Sequence, residues 1–160
     1  MATAQQYYGQ ALRLYLATVS ADPSDAEDAV NVAIMRNHLG GAHLKLRRAE
    51  QALEDYRSAL GGEETLASAS PDDVELLYAQ ADTYAGLGNV AAVFAQRSTH
   101  AADRTKRWAE GQEWYTKSLS VWQRIPNPGH VSPNLFRVSD RHEIARRLSM
   151  CKLHLVQVED

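Results

Sequence analysis

Six histidines, one cysteine and twenty carboxylates are the side chains of this 160-residue chain that could carry metal, nucleophilic or acid–base chemistry. His38, His43, His100, His130, His142 and His154 are scattered, and no two stand at the His-Glu-x-x-His spacing that sets a pair of imidazoles over zinc. His38 and His43 are five residues apart, so on a helix they point to different sides. Gly40-Gly41 and Gly61-Gly62 lack the lysine of a phosphate-binding loop, and no Gly-x-Ser-x-Gly elbow or kinase catalytic motif is present. Glu50, Glu54 and Asp55 form one solvated helix face. The expectation is a chain without catalysis, cofactor or metal. Cys151, as the only cysteine, cannot form a disulfide within the chain and suits a reducing, cytoplasmic setting. Between Arg146 and Leu155 it reads as a small buried hydrophobe.

A second constellation, Arg104, Lys106, Arg107, Trp108, Trp114, Tyr115 and Trp122, combines cations with aromatic rings, the pairing that holds phosphates and stacks on bases. Trp108, Tyr115, Leu119 and Trp122 recur at helical spacing, however, which is the pattern of a core. The net charge of −3 is also acidic, so nucleic acid is not the expected partner. The charge is unevenly placed: 13 acidic residues stand against 6 basic ones up to Gln96, and 5 against 11 from Arg97 to Lys152. That asymmetry supports head-to-tail association of copies as an alternative role. No apolar run approaches the ~20 residues of a membrane span.

The elements that would position these groups are helical throughout. Thr3 to Ser20 places Ala11, Leu12, Tyr15, Leu16 and Val19 on one side. Pro23 stops that helix, Ser24 or Asp25 caps the next, and Asp25, Glu27 and Asp28 suit its positive end. The second helix runs from about Ala26 to Leu46 and the third over Ala49–Leu60, stopped by Gly61-Gly62. Ser70-Pro71-Asp72-Asp73 opens the next, with Leu76, Leu77, Ala81, Tyr84 and Leu87 as its stripe. Val90–Gln96 reads as a short helix of its own, followed by a break near Ser98–His100 and a long helix from about Ala102 to Arg124. IPNPGHVSPN is an irregular connector, and Ser139-Asp140 caps a last helix to about Val156, with Ile144, Leu148, Cys151 and Leu155 inward.

Leu39-Gly40, His43, Ala52, Tyr56 and Ala59 stand at the spacings of the tetratricopeptide repeat, which this stretch resembles; Arg36 replaces its leading Trp and Glu64 its closing Pro. Ala11, Tyr15 and Pro23 match the second half of such a unit, with Thr18 departing from the usual Ala. Tyr84 and Leu87-Gly88-Asn89 match the end of a first helix, whose partner is best matched by Gly111, Tyr115 and Ser118. The runs ADPSDAEDAVNVAIMRNHLGGAHLKL, YAGLGN and WAEGQEWYTKSLSVWQRI are further similar to the C-terminal repeat region of bacterial eukaryotic-like serine/threonine protein kinases.

The resemblance implies one all-α domain over residues 1–160, a right-handed stack of antiparallel helix pairs with about seven helices. Its units are a half repeat at 3–23, then 26–62, then 72–125 with an insertion at 90–107, and a capping helix at 139–156. It also implies a protein-interaction scaffold that holds a peptide or partner domain in the groove of the first helices, as the partner-recruiting part of such a kinase does. Carried onto this sequence, the groove positions are Asn37, Gly41, Leu44, Lys45, Tyr78, Asp82 and Ala85. Asn37 and Lys45 supply a fragment of the family's carboxylate clamp, against which Asp82 and Gly41 work.

Overall fold

Each of the first helices begins where a short side chain can hold its opening amides. In the computed structural model, which describes residues 3–126 and 140–156, Thr3 and Gln6 form a reciprocal capping box at the start of α1 (Ala4–Ala21). Asp25 accepts from the amide of Asp28 at 3.0 Å to open α2 (Ala26–Lys45), and Asp73 accepts from that of Leu76 at 2.8 Å to open α4 (Val74–Arg97). Between them lies α3 (Ala49–Ala69); α5 (Ala101–Arg124) and α6 (Arg141–Val156) complete the order. The turn from α2 to α3 rests on Arg47, whose φ of 61° puts it in the left-handed region while the Arg48 amide reaches back to the His43 carbonyl. Arg97 at the far end of α4 donates to the Arg47 carbonyl at 2.9 Å and so fixes that turn from outside.

All described secondary structure is helical, and there are six helices rather than seven. Three local expectations fail for one reason: tertiary packing overrides a local stop signal. The helix does not end at Gly61-Gly62, because Glu63 beyond them is buried and Leu66 and Ala67 pack against Val30, Ile34, Leu76 and Ala79. Val90–Gln96 is not a separate helix but the end of α4, where Val90 packs with Ala52 and Tyr56, and Ala95 with Trp108. Leu87-Gly88-Asn89 therefore lies inside a helix. The break at Ser98–His100 is present. The connector over Ile125–Asn134 lies, from residue 127 on, outside the described residues, as does Ser139.

Consecutive helices pack on one another along the chain, and α2 also packs on α4. The closest approaches are glycine against tyrosine. A Cβ on Gly40 would fall 2.7 Å from Tyr56 Cζ, one on Gly86 2.2 Å from Tyr56 Cε1, and one on Gly88 2.6 Å from Tyr115 Cε1. Tyr56 thus sits between α2 and α4, and Tyr115 lies against α4. The flanking residues Ala52 and Ala59, and Gly111 and Ser118, are buried beside their tyrosines.

The first four helices also repeat themselves at an offset of 48 residues: Ala21-Asp22-Pro23 matches Ala69-Ser70-Pro71, the cap Asp25 matches Asp73, and Gly40 matches Gly88. The same offset pairs Tyr8 with Tyr56, and it is Tyr8 that stacks on α2, 4.8 Å from the His38 ring. The register of α1 is therefore Ala4, Tyr8, Ala11, seven residues earlier than the Ala11–Tyr15–Thr18 spacing suggests.

Candidate functional site

Four of the seven groove positions read from the sequence remain at or near the surface, or line a cleft, and the structure does not bring the seven together. Asn37 is buried: its Nδ2 donates to the Ala79 carbonyl at 3.0 Å, and its Oδ1 lies 2.8 Å from Thr83 Oγ1. Tyr78 is buried edge-on against Trp122, with ring centroids 5.4 Å apart. Leu44 is half-buried against the Tyr56 cluster; Gly41 and Asp82 are half-buried, and Lys45 is exposed. Ala85 alone of the seven lines the cleft described next.

That cleft runs between α4 and α6 over a floor supplied by α5. One part, of about 320 Å³, is lined by Ala92, Gln96, Trp108, Met150 and Cys151. A second, of about 210 Å³, is lined by Ala85, Asn89, Asp140 and Ile144. Tyr115, Glu143 and Arg147 border both. The Tyr115 hydroxyl donates to Asn89 Oδ1 at 2.8 Å, which fixes the ring as the floor. Glu143 takes Arg147 through both Nε at 2.9 Å and Nη2 at 2.7 Å, and also pairs with Arg146. The bond from Arg147 holds the Glu143 carboxyl below its ordinary range. Two guanidinium groups against one carboxylate leave this wall with one excess positive charge beside an apolar floor. The neighbouring Cys151 thiol is pushed up to about 11 by burial, so it is a packing group and not a nucleophile at neutral pH.

The residues on α6 were not legible as a wall because the helix reads as a cap. The available signal was Leu148-Ser149, a small residue after Leu, as at Leu39-Gly40 and Leu87-Gly88.

A second polar cluster lies deep between α2, α3 and α4. Glu63 is fully buried with Oε1 2.6 Å from Thr83 Oγ1, which is also 2.8 Å from Asn37 Oδ1. The Thr83 hydroxyl has one hydrogen and the Asn37 oxygen can only accept. A protonated Glu63 that donates to Thr83, which donates to Asn37, satisfies the chain. Burial accordingly pushes the Glu63 carboxyl up to about 8, against the pull of Thr83 and Asn37. On the α1 side, His43 accepts from Gln5 Nε2 at 2.8 Å on Nε2, so its Nδ1–H donates to Asp55 at 2.7 Å. That bonding ties α1, α2 and α3 together.

Of the aromatic–basic constellation, Trp108, Tyr115 and Trp122 are buried, Trp108 stacked 4.2 Å from the His154 ring. Trp114 is half-buried, stacked on Tyr84 at 5.8 Å with Lys117 Nζ 4.4 Å from its centroid. No group of three or more His, Cys, Asp or Glu among the described residues is placed to hold a metal ion. No described helix is long and apolar enough to cross a membrane.

No protein-family model, no curated protein and no solved structure matches the chain.

Proposed function

We propose that the chain is a non-catalytic interaction scaffold of tetratricopeptide type, and that the cleft between α4 and α6 is where it holds a peptide or a segment of a partner domain. The observation that carries this reading is the pairing of an apolar floor (Ala92, Trp108, Met150) with a wall of two arginines held by one glutamate. A short segment with an apolar side chain beside a carboxylate fits such a surface: the first loses apolar area to water and the second meets a fork already oriented by Glu143. The glycine-on-tyrosine contacts and the 48-residue recurrence support the repeat reading. The similarity to the repeat region of bacterial serine/threonine kinases makes recruitment of a partner to such a kinase the natural setting.

Selection of displayed peptides on the purified chain, followed by titration calorimetry, tests this. Met150→Asp, at a half-exposed position, is expected to weaken a selected peptide by about tenfold or more, while Lys45→Glu on the far side of the molecule changes it by less than about twofold. Enriched peptides that bind Met150→Asp as tightly as the native chain would place recognition elsewhere.

A further inference from the structure

The two outer helices each lack a neighbour that the inner ones have. On the inner side α6 lies on α5 as α4 lies on α3: Cys151 Sγ would meet a Cβ on Gly111 at 3.4 Å, where Val90 packs with Ala52. In that register Ser149, two residues before Cys151, takes the place of Gly88, two before Val90. Leu153 and Val156 likewise take the places of Ala92 and Ala95. On α4 these three positions are covered by α5, through Tyr115 and Trp108. On α6 they are bare: Ser149 is exposed, and Leu153 and Val156 are 64% and 62% exposed.

At the other end α1 lies on α2 as α3 lies on α4, with Tyr8 against His38 and Tyr56 against Gly86, each pair 48 residues from the other. Tyr7 and Leu14 then stand to Tyr8 as Trp114 and Val121 stand to Tyr115. Trp114 stacks on Tyr84 of α4, and Val121 is buried in the cluster that α4 and α5 share. Tyr7 and Leu14 are 59% and 70% exposed. Thus α1 shows the face that takes a helix like α4, and α6 shows the face that takes a helix like α5.

We infer that copies of this chain join end to end, with α6 of one copy packing antiparallel on α1 of the next so that the two complete a helix pair of the α4–α5 kind. Charge favours this occupant. The corner after α1 carries Asp22, Asp25, Glu27 and Asp28, and antiparallel packing brings it to the first half of α6, with Arg141, Arg146 and Arg147 against Glu143. The joint is looser than α4–α5, since Ser149 carries a Cβ where a Cβ on Gly88 would collide with Tyr115. Its two surfaces differ, so it is heterologous and does not close on itself at two copies. It does not rest on a foreign ligand for the cleft.

Sedimentation of the native chain over a concentration series, at low and moderate salt, is the first measurement. The expected result is a mass that climbs past the dimer with concentration and falls as salt rises. Leu14→Glu spoils only the α1 face and Leu153→Glu only the α6 face. Both sites are exposed, and helicity by circular dichroism checks that each variant folds, with Leu14→Gln and Leu153→Gln as milder versions. Each variant alone is expected to be monomeric, and an equimolar mixture to give a dimer and nothing larger. A native chain that stays monomeric, a single variant that still associates, or a mixture that stays monomeric would each overturn the inference.

Discussion

Tyr56 and Tyr115 occupy equivalent places in two successive helix triplets, and their surroundings make one a lock and the other a floor. Tyr56 is pinched by glycine from both sides, Gly40 on α2 and Gly86 on α4. Tyr115 has Gly88 on one side, but on the other stands Arg147, four residues before Cys151 as Gly86 stands four before Val90. A glycine lets the third helix close down on the ring. An arginine held by Glu143 keeps it away, and the space left over is the cleft. The polar fittings differ in the same sense. The first triplet buries Glu63, Thr83 and Asn37 with no route to water, whereas in the second the Ser118 hydroxyl donates to the Ala81 carbonyl at 2.7 Å and ends there. A small–aromatic–small unit thus becomes a structural joint or a surface for recognition according to one residue of the helix laid over it.

The contrast can be broken most severely through pH. Glu63 keeps its proton in the folded chain up to about pH 8, but releases it near its ordinary value of 4.5 once unfolded. Between those limits the unfolded chain binds fewer protons than the folded one, so raising the pH favours unfolding, by about 1.4 kcal/mol per pH unit at most. Urea unfolding at intervals from about pH 5 to about pH 8 should show stability falling along that slope, and Glu63→Gln should flatten it. An unchanged slope in Glu63→Gln would mean that the carboxyl is ionised in place.

The glycines sharpen the comparison further. Gly86→Ala drives a Cβ into a ring that cannot retreat and should cost about 3 kcal/mol. Gly88→Ala pushes Tyr115 toward an open cleft and should cost about 1 kcal/mol. Equal losses in chemical denaturation would erase the distinction between lock and floor. The smallest effect has the opposite sign: Gly61→Ala or Gly62→Ala, with nothing within 4 Å of the new Cβ, should raise stability by about 0.5–1 kcal/mol through helix propensity alone.

The glycines also show how far the sequence could be read. Gly40 and Tyr56 were legible as partners because a helical period and a short turn together bring those positions face to face. Gly61 and Gly62 were misread as a stop because glycine signals only that a helix is weak there. What carries α3 across the weak point is Glu63 and Leu66, and their partners Thr83 and Leu76 come from a helix about twenty and ten residues further on. Gly88 was misread as the end of a helix because close approach and tight turning call for the same residue, and no described glycine has a positive φ. Asn37 and Tyr78 were misplaced in the groove because the long α4 covers one and Trp122 the other. The cleft itself depends on α6 repeating the register of α4, a likeness carried by Leu148-Ser149 and hidden by the departures around it.

The long α4 has 14 of its 24 residues buried and gives one wall to Tyr56 and another to Tyr115. In an array whose units touch only across thin interfaces, each can melt nearly on its own. Here either triplet, on opening, strips one whole side from the helix that the other needs, so neither has a private unfolding equilibrium. The domain should behave as one cooperative unit, with the amides of α4 the last to exchange with solvent and the outer turns of α1 and α6 the first.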